Sequence, residues 1–469
     1  MSADEALTAG AAEQGRMIRA RKVSSVELTR ACLDALETEG AALGALAEPM
    51  RARALEEAAL ADRELAQGAS RGPLHGVPYG AKDLIAARGA PTRWGSPAHA
   101  GQEFDHDACA VERLRAAGCV LVAKLAMIEL AGGGGYEWAH ASMTGACRNP
   151  WNHARWAGGS SSGAGAAVGA GLVGLAIGSE TWGSIMVPAA FCGVTGLRPT
   201  YGRVPRHGAM ALSWTMDKLG PMGRTAEDCA LALEAMAGPD PRDPSALAGR
   251  FRAPRRPPGK RLRIGVLPTD FSHETSRAAA KAFEDAVGLL RSLGHKTLGA
   301  RLPPYPYELA ASTIISAEGS AAFENLVRGP GLALLRDESQ QAGLLAGLAV
   351  PAADYLRAMR LRAQVAPDAL RVFASCDVLA APTLLRGAPP IDRSLNESWS
   401  HMGGNGGPGN LLGWPSLSVP MGFDSDGLPL GLELIGPPRG EATILGLGME
   451  FQRETDWHAR RSPAPARRP

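Results

Sequence analysis

The sequence has no Cys-x-x-Cys pair, no run approaching the ~20 apolar residues of a membrane span, and no appreciable excess of charge of either sign. Each absence removes a class of function. The cysteines, Cys32, Cys109, Cys119, Cys147, Cys192, Cys229 and Cys376, are odd in number and widely scattered. That pattern points to reduced thiols in a cytoplasmic protein rather than to a disulfide-stapled one. The first residues include acidic side chains and no apolar core of signal-peptide length. Forty-nine Lys and Arg stand against 47 Asp and Glu, a net charge of +2 that gives no reason to expect a nucleic acid or an anionic membrane as partner. The ten histidines contain no His-x-x-x-His pair, and no Gly-Lys-Ser/Thr follows a glycine run, so neither a metal nor a phosphate cofactor is expected.

What is present is a globular chain of 469 residues, enough for one large domain. Ser24 and Glu27 have the spacing of a capping box before a helix running to about Glu37, and a second helix is expected over 49–65. Residues 79–85, 119–124, 262–267, 377–383 and 416–420 read as short strands, with helices at 107–117, 274–293 and 305–328. The alternation implies an α/β fold with a single large mixed β-sheet core flanked by α-helices. The expected domain spans residues 1–459, with N-terminal helices over 1–68 clasping the core. The Pro- and Arg-rich stretch 238–259 reads as a surface connection, and 460–469 as a disordered tail.

The most informative segment runs from Gly158 to Ser184: two glycine-flanked serine turns on either side of a helix made of Ala and Gly. Turns of this kind expose a nucleophile, and the tiny side chains between them allow another backbone to approach. The run Gly159-x-Ser161-x-Gly163 formally fits a nucleophile elbow, but no apolar strand precedes it, as that motif requires. Upstream, Lys82 sits near a strand end in Gly76-Val77-Pro78-Tyr79-Gly80-Ala81-Lys82. Taken singly, a serine in a turn or a surface lysine is ordinary; the joint pattern is not.

Together these residues resemble the amidase signature family. The resemblance extends through Arg148-Asn149-Pro150-Trp151-Asn152, Pro188 to Arg203, Met216 to Pro221, and Gly413 to Gly422. It implies Ser184 as nucleophile, Ser160 as a bridging serine preceded by a cis peptide bond, and Lys82 as base. It also implies an oxyanion hole formed by the N–H groups of Thr181, Trp182 and Gly183, and no cofactor. Gly132, Gly133, Tyr136 and Trp138 fall in the region that borders substrate in the family. The usual Asp-Thr-Gly-Gly-Ser-Ile-Arg reads Glu180-Thr181-Trp182-Gly183-Ser184-Ile185-Met186 here, so an arginine is missing and an indole replaces a hydrogen atom.

On this basis the expected activity is hydrolysis of C–N bonds in small, largely neutral aryl or alkyl amides. Carbamates (urethanase activity) and esters are further expected substrates. The expected partner is a small-molecule amide or carbamate alone, with no nucleic acid and no membrane, and with a homodimer left open. The alternative is the glutaminase-type subunit of a tRNA-dependent amidotransferase, against which Met186 and the balanced charge both weigh.

Overall fold

The computed structural model describes residues 2–399 and 402–463. Its core is an eleven-stranded mixed sheet with the order β1-β3-β2-β4-β6-β5-β10-β11-β9-β7-β8. The strands are β1 (Leu46–Pro49), β2 (Pro78–Lys82), β3 (Val120–Leu125), β4 (Leu175–Glu180), β5 (Thr195–Arg198), β6 (Lys218–Gly223), β7 (Arg263–Val266), β8 (Lys296–Gly299), β9 (Val378–Pro382), β10 (Ser416–Phe423) and β11 (Pro429–Ile435). Parallel pairs β3/β2/β4 and β9/β7/β8 lie on the two flanks, and the middle is antiparallel. Strands β2, β3 and β4 are buried along their whole length because helices cover both faces, so they do not alternate apolar and polar, and the charged residues they carry, Lys82, Lys124 and Glu180, are buried with them.

Helices α1 (Ala3–Leu7), α2 (Ala11–Arg19), α3 (Ser25–Ala35) and α4 (Arg51–Ala66) open the chain. The capping box forms as expected: Ser24 Oγ accepts from Glu27 N, and the Glu27 carboxylate accepts from Ser24 N at 2.8 Å. Helix α4 packs on α3 and on β3. Next come α5 (Cys109–Ala116), α6 (Ser162–Gly169), α7 (Met186–Cys192) and α8 (Ala226–Met236). The small-residue helix α6 is wedged so closely that a Cβ at Gly163 would lie 2.5 Å from Ala126 N, which explains its composition.

The second half contributes α9 (Arg277–Ser292), α10 (Tyr307–Ala322), α11 (Glu324–Arg328), α12 (Glu338–Leu348), α13 (Ala352–Leu370), α14 (Leu395–Trp399), α15 (Gly406–Leu411) and α16 (Glu441–Arg453). Helices α12 and α13 both pack on α10, which also touches α15. The stretch 238–259 has no helix or strand, in line with a connection, yet Arg113 ties its start down through Gly238 O and Pro239 O.

Two expectations need correction. The strand expected over 79–85 ends at Lys82, where the chain turns and Ile85 N bonds to Lys82 O at 3.0 Å. The tail expected to be disordered from residue 460 is engaged at its start: the Arg460 guanidinium lies 4.2 Å over the Trp457 ring, and Arg461 donates to Thr8 O at 2.9 Å. Residues 464–469 lie outside the described residues. Among the described residues, no helix is long and apolar enough to cross a membrane, and all seven cysteines are buried and unpaired.

Candidate active site

Lys82 occupies the carboxyl end of β2, beside the carboxyl end of its parallel neighbour β4. Such adjacent strand ends are where α/β sheets place ligands. Strand β4 runs through Ser179 and Glu180 into the turn that carries Ser184, while Ser160 immediately precedes α6. These segments converge. Lys82 Nζ donates to Ser160 Oγ at 2.7 Å and to Ser179 Oγ at 2.9 Å, and Ser160 Oγ donates to Ser184 Oγ at 2.9 Å. The peptide bond Gly159–Ser160 is cis. Glycine is required there, because a Cβ at 159 would stand 2.8 Å from the Trp156 ring and 2.9 Å from the Ile128 side chain.

Burial pushes the Lys82 ammonium down to about 7, against the opposing pull of Asp217 and Glu180. A lysine tuned this way is half neutral near physiological pH, where a general base is most effective. Because a hydroxyl both donates and accepts, the chain Lys82–Ser160–Ser184 can conduct a proton in either direction.

The turn bearing Ser184 is clamped from below by Glu180. Its Oε2 accepts the N–H groups of Ile185 at 2.7 Å and Met186 at 3.0 Å, and its Oε1 accepts from Arg198 at 2.8 Å and Asn410 at 2.9 Å. Burial acts to raise this carboxyl, but Arg198 and the other donors overcome it and hold Glu180 at about 2. A second buried carboxylate, Asp217, accepts from Thr181 Oγ1 at 2.5 Å and from the N–H groups of Leu212 and Ser213. Among the described residues no hydrogen bond is made by the N–H groups of Thr181, Trp182 or Gly183. Ser161 is otherwise occupied: its hydroxyl donates to Ser179 O and accepts from Ser179 N, which removes it as an elbow nucleophile.

Ser184 opens onto a cavity of about 270 Å³ walled by Tyr136, Trp156, Trp182, Leu212, Ile315 and Trp399. Of the four residues expected at the pocket, Gly132 and Tyr136 line it. Gly133 and Trp138 do not. Gly133 packs under Leu212 and Phe323, and the Trp138 ring is stacked on His140 while its backbone N–H donates to Asp337 Oδ2 at 2.9 Å. The sequence reading missed Ser179, Glu180 and Asp217 as structural partners of the relay, and Trp156, Ile315 and Trp399 as cavity walls. Among the described residues, Cys109, Glu112 and Asp240 bring three donor atoms together, but the Arg242 guanidinium already bonds both carboxylates at 2.6 and 2.8 Å. A cation there would meet that positive charge.

The sequence profile of the Amidase family matches residues 27–445. A glutamyl-tRNA(Gln) amidotransferase subunit from Chloroflexus aurantiacus is 37% identical, covering 95% of this chain and 96% of that protein. Among solved structures, native peptide amidase from Stenotrophomonas maltophilia superposes with a TM-score of 0.83 at 32% identity, covering 97% of this chain and 98% of the other. The corresponding glutamyl-tRNA(Gln) amidotransferase subunit from Thermotoga maritima gives 0.69 at 30% identity, covering 80% and 82%.

These similarities overturn the expected stand-alone hydrolase of small neutral amides, carbamates and esters. They also overturn the expectation of a small molecule as sole partner with no nucleic acid: the full-length relatives are named as subunits, and of an amidotransferase that takes a tRNA. The two features weighed against that reading have other physical meanings. Met186 is buried, its N–H is spent on Glu180, and it does not line the cavity, so its missing charge says nothing of the substrate. A balanced total charge describes the whole surface and leaves contacts made through a partner chain open.

Proposed function

This chain belongs to the amidase family, and from that premise we propose that it is the glutamine-hydrolysing subunit of a tRNA-dependent amidotransferase. The observation that carries the reading is the unbroken Lys82–Ser160–Ser184 contact in a chain that aligns nearly end to end with such subunits. The side-chain carboxamide of glutamine is a linear primary amide, and its hydrolysis needs a nucleophile, a proton path and donors for the oxyanion.

In this account Ser184 Oγ attacks the carboxamide carbon, its proton passes to Ser160 Oγ, and the Ser160 proton passes to neutral Lys82 Nζ. The oxyanion rests on the N–H groups of Thr181, Trp182 and Gly183. On collapse the C–N bond breaks, the proton returns through Ser160 to the nitrogen, and ammonia leaves a γ-glutamyl ester on Ser184. Water attacks that ester by the same route in reverse, releasing glutamate and restoring the serine. Ammonia is then available for transfer to the tRNA-borne acyl group in the assembled enzyme. The seven unpaired cysteines fit a reducing cytoplasm, where such an assembly would work.

Ammonia and glutamate release from glutamine, measured for the chain alone and with the remaining amidotransferase subunits of its source organism, tests this. The expected result is glutamine hydrolysis that rises strongly on assembly. Hydrolysis of peptide amides by the chain alone, at a rate indifferent to those subunits and with glutamine untouched, would overturn it.

A further inference from the structure

Trp182 stands between Thr181 and Gly183, two residues before Ser184, and lines the cavity. The indole Nε1 donates to Glu308 Oε2 on α10 at 2.8 Å, and the other oxygen of the same carboxylate accepts from Gly407 N on α15 at 2.9 Å. The Trp399 ring lies 6.2 Å away, tilted by 54°. Two glycines make room for this arrangement: a Cβ at Gly406 would sit 2.7 Å from the indole, and one at Gly407 would collide with the Glu308 carboxylate. Five residues from three distant segments therefore form one brace, which fixes where a large flat side chain stands.

A primary amide loses only ammonia, so all the bulk of the substrate is on the acyl side and must occupy the cavity against Ser184. We propose that Trp182, held by Glu308, is the specificity-determining wall of that cavity and limits the acyl group to a slim chain such as that of glutamine. This rests on the reading of Ser184 as nucleophile, and on the glutamine reading only for the name of the slim chain. Glu308 is open to solvent, so one hydrogen bond there is weak; the grip comes from a carboxylate that satisfies two donors at once. Glutamine at 308 has a single carbonyl oxygen and would turn its NH₂ toward one of them.

Two phosphonofluoridates of the same leaving group, methyl and benzyl, test the wall without needing the natural substrate. Each reacts when Ser184 Oγ bonds to phosphorus, P–F breaks, fluoride departs and the proton passes through Ser160 to Lys82. W182G should raise the benzyl-to-methyl labelling ratio about tenfold or more, the worth of a methylene or more in an apolar pocket. E308A should raise it less, and E308Q less again, with circular dichroism unchanged. An unchanged ratio in folded W182G and E308A, or equal loss of both labels, would overturn the proposal; should W182G fail to fold, E308A decides alone. Labelling that persists in S184A would instead refute the nucleophile. A moved ratio in an enzyme that ignores glutamine even when assembled would leave the wall standing and remove only the functional reading.

Discussion

The floor and the roof of the cleft are held together by different forces. Below Ser184, Glu180 and Arg198 are fully buried and bonded at 2.8 Å, with Asn410 on the same carboxylate oxygen; Glu433 and Ser416 lie alongside at 2.7 Å from each other. Above it, α10 joins α12 and α13 mainly through apolar side chains, with single hydrogen bonds from Ser320 Oγ to Leu344 O and from Tyr355 to Glu318 Oε1 at 2.8 Å, and Leu309, Leu345 and Leu356 stay on the outside, 68%, 51% and 58% exposed. A buried charge pair has one geometry and a high cost of rupture, whereas an apolar seam tolerates sliding and substitution. The division suits an enzyme whose proton path must stay fixed; of these three helices only α10 reaches the cavity, through Ile315.

The largest effect should come from the floor's reactive groups. S184A and K82A should each lower glutamine hydrolysis by about 10⁴-fold or more with the fold intact, since members of a relay act as a unit. Residual activity near the parent rate in either variant would remove that residue from the chemistry.

Next is the clamp. R198M leaves the Glu180 carboxylate buried without its counter-charge and should cost about 3–5 kcal/mol in urea unfolding. A loss under about 1 kcal/mol would mean that the floor is no more rigid than the roof.

A smaller effect concerns pH. Neutral Lys82 is the active form, so kcat/KM should rise as pH climbs through about 7 and level off above it. The charge on Asp217 favours the ammonium form; D217N removes it while keeping a carbonyl for the Leu212 and Ser213 N–H groups and an NH₂ for Thr181. The acid limb should therefore move to lower pH. A limb that stays, or moves upward, would show that Asp217 does not act on Lys82.

The smallest effect belongs to the roof's outer surface. L309S should change stability by no more than about 0.5 kcal/mol, as expected of an exposed side chain. A large loss would mean that this leucine is covered in the working enzyme.

Legibility in the sequence follows the same division. The relay was readable because each member sits in a local signature: Lys82 after Gly-Val-Pro-Tyr-Gly-Ala, Ser160 after Gly-Gly, Ser184 in a glycine turn. Strands and the Ser24 cap were readable from local apolar runs and spacing. The Glu180–Arg198 pair, the Trp182–Glu308 brace and the Trp399 wall were not, because they join segments 18, 126 and 217 residues apart with no periodicity between them. Trp138 was misplaced for a related reason: in a glycine-rich loop nothing local tells which of two nearby aromatics turns inward, and the Asp337 carboxylate that holds the backbone at Trp138 lies 199 residues downstream. Function was misjudged from a charge count and from Met186, neither of which reports on the cavity.

The proposed glutamine hydrolysis requires acyl transfer from glutamine to one hydroxyl, that of Ser184. Acid-quenched mixtures of the assembled enzyme with glutamine, digested and analysed by mass spectrometry, should contain a γ-glutamyl ester on the peptide holding Ser184, absent from S184A. Ammonia release with no adduct under trapping conditions, or an adduct on any other residue, would contradict it.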